Sequence, residues 1–526
     1  MNICIIGAGP SGICAAKEIK EQNPTSTITI FEKTDTVGGL FASSYKGLTL
    51  VNNPLLVGFS DFLAAETLHD LHMWSAEQYV SYLKRYSEAN GITEFIKYNT
   101  EVKSANFIGQ KWHLTILASD VEESHEFDYL VVCCSSNGKA NLPLLPNQER
   151  FAGNIIHSSE VKDPAELKNK NVVFLGLGET ASDLSYYSTE HARSTTVSVR
   201  RWPGYFIPRY HDGRPTDIDT SKIYHCLPKT LDASRLAFLF RLKRKLELSA
   251  IRSETDRKIQ AEIDRLNHHW SATRHLGPFR RTTTKSCNFI RATLKGAACL
   301  KPEIIELSDN SVHFSDGSSV VADLIVCCTG YKANYDFLSD ELRAKIPSSN
   351  ALYNYVFLPG HEKNLAFIGF VRPAVGTVPV LAELQSRMLG LFISGDITLP
   401  DKEAMYTSIQ QQQLSARQQF PVDFPRVGHI VDYYSYLQCL AKIIGVMPRQ
   451  WPLFFFDTRV WFKVNFSFLC PGMFRLYGPG AKPDLVKPII KKLPTMPTKI
   501  LLIESITYLS CRLLSLLGFK QFKIIG

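Results

Sequence analysis

The sequence predicts an α/β fold made of two nested parallel-sheet domains and a C-terminal helical tail. A strand, a glycine-rich turn, a helix and a second strand follow one another within residues 2–31, and the same order recurs within 171–199. Each such βαβ unit requires a sheet buried between helices. Two similar apolar runs, 128–134 and 323–331, end in polar loops, as expected of strands buried on both faces of a sheet.

The length of 526 residues predicts two or three packed units rather than one core. Placing the chain crossings at the two apolar runs gives a discontinuous first domain over 1–153 and 322–485. The inserted second domain then covers 154–321 and carries a charged, helical insertion over about 220–297. Residues 486–526 form the tail.

The first glycine-rich turn has the spacing Gly7-x-Gly9-x-x-Gly12 between a strand and a helix. Glycines at these positions let a pyrophosphate approach the N-terminus of the helix, and Glu32 ends the second strand where an acid holds ribose hydroxyls. The unit is therefore predicted to be a Rossmann-like dinucleotide site. The residues assigned to it are Gly7, Ala8, Gly9, Pro10, Ser11, Gly12 and Glu32.

The second turn, Gly176-x-Gly178-x-x-Ala181, leads to a strand that ends in arginines instead of an acid. An arginine at this position pairs with a 2′-phosphate, so the pattern favours NADPH over NADH. The alternative is a solvated basic strand end. The residues assigned to the NADPH site are Gly176, Gly178, Ala181, Ser198, Arg200 and Arg201.

Two nucleotide sites with different ribose partners indicate electron transfer from NADPH to a flavin. Flavin reductases, disulfide oxidoreductases and flavin monooxygenases share this organisation. A disulfide oxidoreductase needs a CxxC or similar cysteine pair, and the sequence has none. Its neighbouring cysteines, such as Cys133 and Cys134, are adjacent within apolar strands, where a bridge would be strained.

Composition and charge limit the other classes of function. The formal charge of +9 favours anionic cofactors and membrane surfaces. Nucleic-acid binding is not expected, because no block of five Lys or Arg residues accompanies this charge. The Cys and His residues show no zinc-type spacing, so no metal site is expected.

Four segments resemble motifs of the flavin-containing monooxygenase family. Residues 151–162, FAGNIIHSSEVK, are similar to its FxGxxxHxxx(Y/F) fingerprint, except that Val161 replaces the aromatic residue. Residues 38–41, GGLF, resemble GGLW, and 328–331, CTGY, resemble ATGY. Residues 474–480, FRLYGPG, resemble the C-terminal part of the animal enzymes. The resemblance covers about residues 1–485, and it adds five cofactor contacts: Gly39, Leu40, Phe41, Thr329 and Gly330.

The resemblance implies an FAD domain with an inserted NADPH domain, and NADPH- and O2-dependent oxygenation of a small molecule. In such an enzyme a flavin C4a-hydroperoxide transfers oxygen to a nucleophilic nitrogen or sulfur. Two alternatives stay open: Baeyer–Villiger oxygenation of a ketone or aldehyde, and a non-catalytic flavoprotein that acts as a redox sensor.

Asn52 and Asn53 are the candidate catalytic residues. The family places an asparagine after the GG segment to hold the reactive arrangement, but an ungapped count puts Val51 at that position. A shift of one residue would bring either asparagine there. The alternative is that both asparagines cap a turn before Pro54.

The tail from Ile500 to Phe519 is rich in Leu and Ile but contains Glu504 and Arg512, which disfavour a spanning helix. It fits an amphipathic helix in a membrane surface and equally a terminal helix packed on the protein. Because the apolar start runs directly into the first turn, no signal peptide is expected. We therefore expect a cytoplasmic protein, with association to the endoplasmic reticulum membrane as the anchored animal relatives suggest.

Overall fold

A computed structural model describes residues 1–200, 204–229, 231, 234, 236–420 and 427–524. Its strands are β1 Asn2–Ile6, β2 Thr27–Phe31, β3 Ile96–Lys97, β4 Thr100–Ile108, β5 Lys111–Ala118, β6 Val121–Phe127, β7 Tyr129–Val132, β8 Lys139–Ala140, β9 Asn154–His157, β10 Asn171–Leu175, β11 Ser194–Ser198, β12 Gly204–Phe206, β13 Tyr210–His211, β14 Arg214–Pro215, β15 Thr282–Thr284, β16 Cys299–Lys301, β17 Ile304–Ser308, β18 Ser311–Phe314, β19 Ser319–Val321, β20 Leu324–Cys327, β21 Tyr331–Lys332, β22 Leu365–Phe367, β23 Arg372–Pro373 and β24 Ile430–Val431.

Helices connect and cover these strands. They are α1 Pro10–Gln22, α2 Pro54–Val57, α3 Ala76–Ala89, α4 Glu179–Ser188, α5 Lys222–Cys226, α6 Ala237–Ser249, α7 Glu254–Trp270, α8 Asn288–Leu294, α9 Asp340–Lys345, α10 Val378–Ser394, α11 Lys402–Gln419, α12 Tyr433–Ile443, α13 Gln450–Phe456, α14 Thr458–Phe466, α15 Pro483–Lys492 and α16 Thr498–Leu516.

Two parallel five-stranded sheets form the centres of the two domains. The first has the order β22-β7-β1-β2-β3 and the second the order β16-β11-β10-β20-β9. Both β7 and β20 are buried along their whole length, as expected for strands covered on both faces. The predicted α/β fold with two Rossmann-like domains is confirmed.

The boundary expected at residues 321 and 322 needs correction. Strand β20 begins at Leu324 and pairs with β10 and β9, so it belongs to the second sheet. The apolar run therefore completes the inserted domain before the chain crosses back, and the crossing follows Cys327. The later flank rejoins the first sheet through β22, which pairs with β7.

A buried ion cluster joins the first domain to the C-terminal segment. The Arg475 guanidinium is fully buried and lies among three carboxylates: it contacts Glu18 of α1, it is 2.9 Å from Glu383 of α10, and it is 3.5 Å from Asp61. These carboxylates lower the cost of burying the guanidinium and raise its pKa well above the usual range. The cluster thus fixes α10 and the segment around Arg475 against α1, the helix that begins at the first glycine-rich turn.

Replacing Arg475 is expected to destabilise the fold strongly. Arg475→Met keeps most of the side-chain volume but leaves the carboxylates without their central cation, and breaking a buried pair costs about 3–5 kcal/mol. The measurement is the free energy of unfolding in urea. Arg85→Met is the control, because Arg85 makes an exposed pair with Glu66 at 3.4 Å and should cost less than about 1 kcal/mol. Equal losses in the two variants would contradict the assigned role of the cluster.

Candidate active site

The first glycine-rich turn has the close packing that a dinucleotide site needs. A Cβ at Gly12 would lie 1.8 Å from the carbonyl oxygen of Gly7, so only glycine fits there. Glu32 accepts the amide N–H of Ala8 at 2.8 Å and that of Thr34 at 2.9 Å. Its carboxylate is thereby fixed at the end of β2, beside the N-terminus of α1.

The second turn leaves space where a ligand would lie. A Cβ at Gly178 would meet no heavy atom within 4 Å, and α4 begins at the next residue. Arg200 follows β11 and is exposed, with its guanidinium 3.8 Å from Glu303. Arg201 lies outside the described residues. The open N-terminus of α4 and the cation at the end of β11 fit a phosphorylated dinucleotide.

Both turns open into one continuous cavity of about 2420 Å³. Fourteen of the residues expected at the site line it, namely Gly7, Gly9, Pro10, Ser11, Glu32, Gly39, Leu40, Phe41, Asn52, Gly176, Gly178, Arg200, Thr329 and Gly330. Five others are not in its wall, namely Ala8, Gly12, Asn53, Ala181 and Ser198. Ser198 faces away, since its hydroxyl donates to the carbonyl oxygen of Pro302 at 2.8 Å.

The two candidate asparagines have different environments. Asn53 is fully buried, and its side-chain oxygen caps α2 by accepting the N–H of Leu55 at 3.0 Å. In this structure the side-chain oxygen therefore has a capping role, and the catalytic role stays a prediction. Asn52 lines the cavity, where its amide nitrogen is 3.5 Å from a carboxylate oxygen of Asp217. Val51 also lines the cavity.

Asp217 ties the loop that carries these asparagines to the second domain. It accepts the backbone N–H of Asn53 at 2.8 Å and lies 3.4 Å from the ammonium group of Lys285. Burial lowers the pKa of Lys285, and the attraction to Asp217 opposes that shift.

Asp183 of α4 is the centre of a second buried polar network. Its carboxylate pairs with Arg209 at 3.1 Å, and it accepts hydrogen bonds from Tyr45 at 3.0 Å, Ser286 at 2.9 Å and Asn288 at 2.8 Å. Arg209 also donates to the carbonyl oxygen of Thr49 at 3.3 Å. The network holds the second domain against residues 45–49 of the first.

Glu179 lies beside this network at the first position of α4. Burial raises its pKa to about 7, an effect that Arg209 and Arg372 oppose. One of its carboxylate oxygens accepts the N–H of Lys285, and the other is buried without a partner among the described residues. The sequence does not mark this acid, because it occupies one of the unspecified positions of the Gly176-x-Gly178-x-x-Ala181 pattern.

His157 has a structural role rather than a catalytic one. Its ring nitrogens lie 2.8 Å from the Ser159 hydroxyl and 2.9 Å from the carbonyl oxygen of Gly330. Burial lowers its pKa, so the ring is neutral at physiological pH. The histidine therefore fastens β9 to the loop that follows β20.

Two dinucleotide sites that open into one cavity are typical of flavoproteins that receive electrons from a nicotinamide cofactor. Over residues 1–500 the chain matches the model of the flavin-binding monooxygenase-like family, and it belongs to that family. The family depends on FAD and uses NADPH. Glu32 and the first turn would hold FAD, whereas Gly178 and Arg200 would hold NADPH.

Named relatives extend along almost the whole chain. A 4-hydroxybenzoate brominase (decarboxylating) from Marinomonas mediterranea is 31% identical over 94% of this chain and 94% of its own. Flavin-containing monooxygenase 5 from Oryctolagus cuniculus is 28% identical, with 91% and 89% covered. The solved structure of S-allyl-L-cysteine S-oxygenase from Allium sativum has a TM-score of 0.59 and 21% identity, with 84% and 88% covered, and shares the fold.

Adding a methyl group at Gly178 is expected to weaken nicotinamide binding without unfolding the protein. In Gly178→Ala the new Cβ points into the open cavity, and overpacking costs about 1–3 kcal/mol, so the Kd for NADP+ should rise about tenfold. The measurement is NADP+ titration by calorimetry, together with the unfolding temperature. Gly12→Ala provides the contrast, because its Cβ meets backbone and should lower FAD content and stability. Unchanged NADP+ affinity in Gly178→Ala would place the cofactor elsewhere.

Proposed function

We propose that the protein uses NADPH and O2 to oxygenate a nucleophilic nitrogen or sulfur of a small molecule. The observation that carries the proposal is the single cavity that both glycine-rich turns and the Asn52 loop line. When bound and reduced, FAD would supply the activated oxygen. The nicotinamide cofactor can reach the flavin to reduce it only if both sites open to the same space.

The chain's own residues hold the reactants and exclude water. Apolar side chains line the cavity beside Asn52, among them Leu50, Val51, Leu56 and Val57. Asn52 contributes a cavity-lining amide that would donate a hydrogen bond to the bound reactants. Asp217 and Arg209 hold the loop in place from the second domain, so that water is kept out while both cofactors are bound.

A halide is a second candidate for the nucleophile. Bromide is soft, as amines and sulfides are, and it can accept an oxygen atom in the same way. The 31% identity with the 4-hydroxybenzoate brominase over 94% of both chains favours this candidate. In that case the substrates would be bromide and a hydroxybenzoate.

The test is oxygenation by the holoenzyme with NADPH under 18O2. Parallel reactions contain N,N-dimethylaniline, thioanisole, cyclohexanone, or bromide with 4-hydroxybenzoate. The expected result is 18O in the N-oxide or sulfoxide. Brominated phenol would favour the halide candidate, and lactone would favour the Baeyer–Villiger alternative. Absence of substrate-dependent O2 consumption in all reactions would support the non-catalytic redox sensor.

Asn52→Ala is the matched variant for this assay. It removes the cavity amide without removing the cap of α2, so it should still oxidise NADPH but release more of the oxygen as H2O2. The measurement is the ratio of H2O2 to product. Asn53→Ala is the control, since loss of a cap costs about 1 kcal/mol of stability and should leave that ratio unchanged. The same ratio in Asn52→Ala and the unaltered protein would exclude Asn52 from the reactive arrangement.

We further propose that the C-terminal helix contacts the surface of an anionic membrane. Helix α16 buries its polar side: Glu504 accepts from Lys243 at 2.6 Å and from Ser221 at 2.7 Å. Its outward side is apolar, at Leu502, Ile506, Leu509, Leu513 and Leu516. The spacing of these five residues forms one stripe along the helix.

Basic and aromatic side chains accompany this stripe. Arg512, Lys520 and Lys523 are exposed close to it in the chain. Helix α13 carries exposed aromatic residues, among them Phe456, which is 89% exposed. Helix α13 packs on α14, and both α14 and α16 contact α5. Within the described residues, none of the helices has both the length and the apolar character needed to cross a membrane. A helix lying in the surface is the arrangement that such a pattern favours.

Binding to vesicles tests the membrane contact. The double variant Leu509→Glu/Leu513→Glu is expected to lose most of its co-sedimentation with phosphatidylcholine–phosphatidylserine vesicles, because each leucine contributes about 1.5–3 kcal/mol when removed from water. Ile108→Glu is the control, since Ile108 is also exposed but lies on β4. If the unaltered protein stays in the supernatant, the stripe is not a membrane contact.

A further inference from the structure

Arg372 is a cation in the cavity wall that lacks a protein partner. It begins β23, the short strand that follows the return of the chain from β22, and it lines the cavity shared by both turns. Its side chain makes no hydrogen bond or ion pair within the described part of the chain. Burial lowers its pKa, and only the attraction of Glu179 opposes that shift.

The two neighbouring cations differ from Arg372 in this respect. Lys285 lies 3.4 Å from Asp217, and Arg209 lies 3.1 Å from Asp183. Their charges are therefore compensated by the protein. Arg372 is half-buried and has no carboxylate within ion-pair distance in the described part of the chain, so a ligand anion would stabilise it.

We propose that Arg372 is an anion-binding subsite that holds the carboxylate of the substrate. The inference rests on the proposed function, because it concerns the molecule that is oxygenated in the same cavity. A guanidinium offers two parallel N–H donors that match the two oxygens of a carboxylate, which would fix the orientation of the substrate as well as its charge. The substrate class is then a small organic acid with a nucleophilic atom.

Glu179 competes with the ligand for Arg372. The charged groups that face Glu179 are Arg209, Arg372, Asp183 and, through its backbone N–H, Lys285. Glu179 and Arg372 line the same cavity, and the charge of ionised Glu179 attracts Arg372 as well as the already paired Arg209. When Glu179 takes up a proton, with a pKa raised to about 7 by burial, Arg372 is left for the ligand. A carboxylate ligand stays ionised through this range, so it should bind more tightly below pH 7 than above it.

The test compares benzoate with benzamide, which has the same shape and no charge. Each is titrated into the oxidised holoenzyme at pH 6, and binding is followed by the flavin absorbance and by calorimetry. The unaltered protein should bind benzoate more tightly than benzamide, and Arg372→Gln should raise the Kd for benzoate about tenfold, the value of a charged hydrogen bond. Arg372→Lys keeps the positive charge but lacks the two parallel N–H donors of the guanidinium, so it should restore part of the affinity for benzoate.

Arg343→Gln is the matched control, because Arg343 also lines the cavity but pairs with Asp336 at 3.4 Å and with Asp340. Its affinity for benzoate should be unchanged. If Arg372→Gln weakens NADP+ and leaves benzoate unaffected, Arg372 binds a cofactor phosphate and the proposal is overturned. Equal affinities for benzoate and benzamide in the unaltered protein would also overturn it.

Glu179→Gln tests the competition. The Kd of the unaltered protein for benzoate should rise several-fold between pH 6 and pH 8, and that of the variant should stay level at the lower value. A level Kd in the unaltered protein would remove Glu179 from the subsite. These binding measurements require no turnover, so their failure can be distinguished from failure of the oxygenation assay, in which N,N-dimethylaniline, thioanisole and cyclohexanone carry no carboxylate.

Discussion

The ion pair between Arg209 and Asp183 of the inserted domain holds the two halves of the cavity together, because it also bonds to Thr49 and Tyr45 of the first domain. Asp183 lies on α4, directly behind the second glycine-rich turn, while Arg209 also donates to Thr49 in the first domain. A buried pair of this kind contributes little net stability by itself, but the loss of either member would leave a buried charge. The loop that carries Asn52 therefore keeps its position only while the inserted domain is docked.

Some cations in the wall of the cavity are paired with a carboxylate of the protein, and others are not. Asp217 and Asp183 neutralise their cationic partners, whereas Glu179 and Arg372 balance each other only when Glu179 is ionised. Charge on partly buried groups of a cavity wall acts more strongly on a ligand than charge on the open surface, because fewer solvent dipoles screen it. A substrate that brings its own negative charge would complete this arrangement, whereas a neutral amine or sulfide would leave it incomplete.

Helix α16 reverses the usual arrangement of a surface helix. Its polar residue Glu504 is buried against Lys243, and its leucines face outward. The sequence of the tail is compatible both with a packed helix and with a membrane-surface helix. The structure shows the packed helix, and its exposed stripe is the basis for proposing the membrane contact as well. Since Pro497 and Ile500 line the cavity, the start of this helix reaches the space that both glycine-rich turns share.

The sequence by itself determined the two βαβ units, their glycine-rich turns and the residues that end their second strands, because these features depend on neighbours within about thirty residues. It missed Asp183, Asp217 and Arg372, whose partners are far away in the chain. The prediction from sequence also placed β20 in the wrong domain, since the residues of an apolar strand do not indicate which sheet the strand joins. Only the tertiary structure decided which charges meet in the cavity, because burial and pairing, rather than residue type, determine whether a charge is free to bind a ligand.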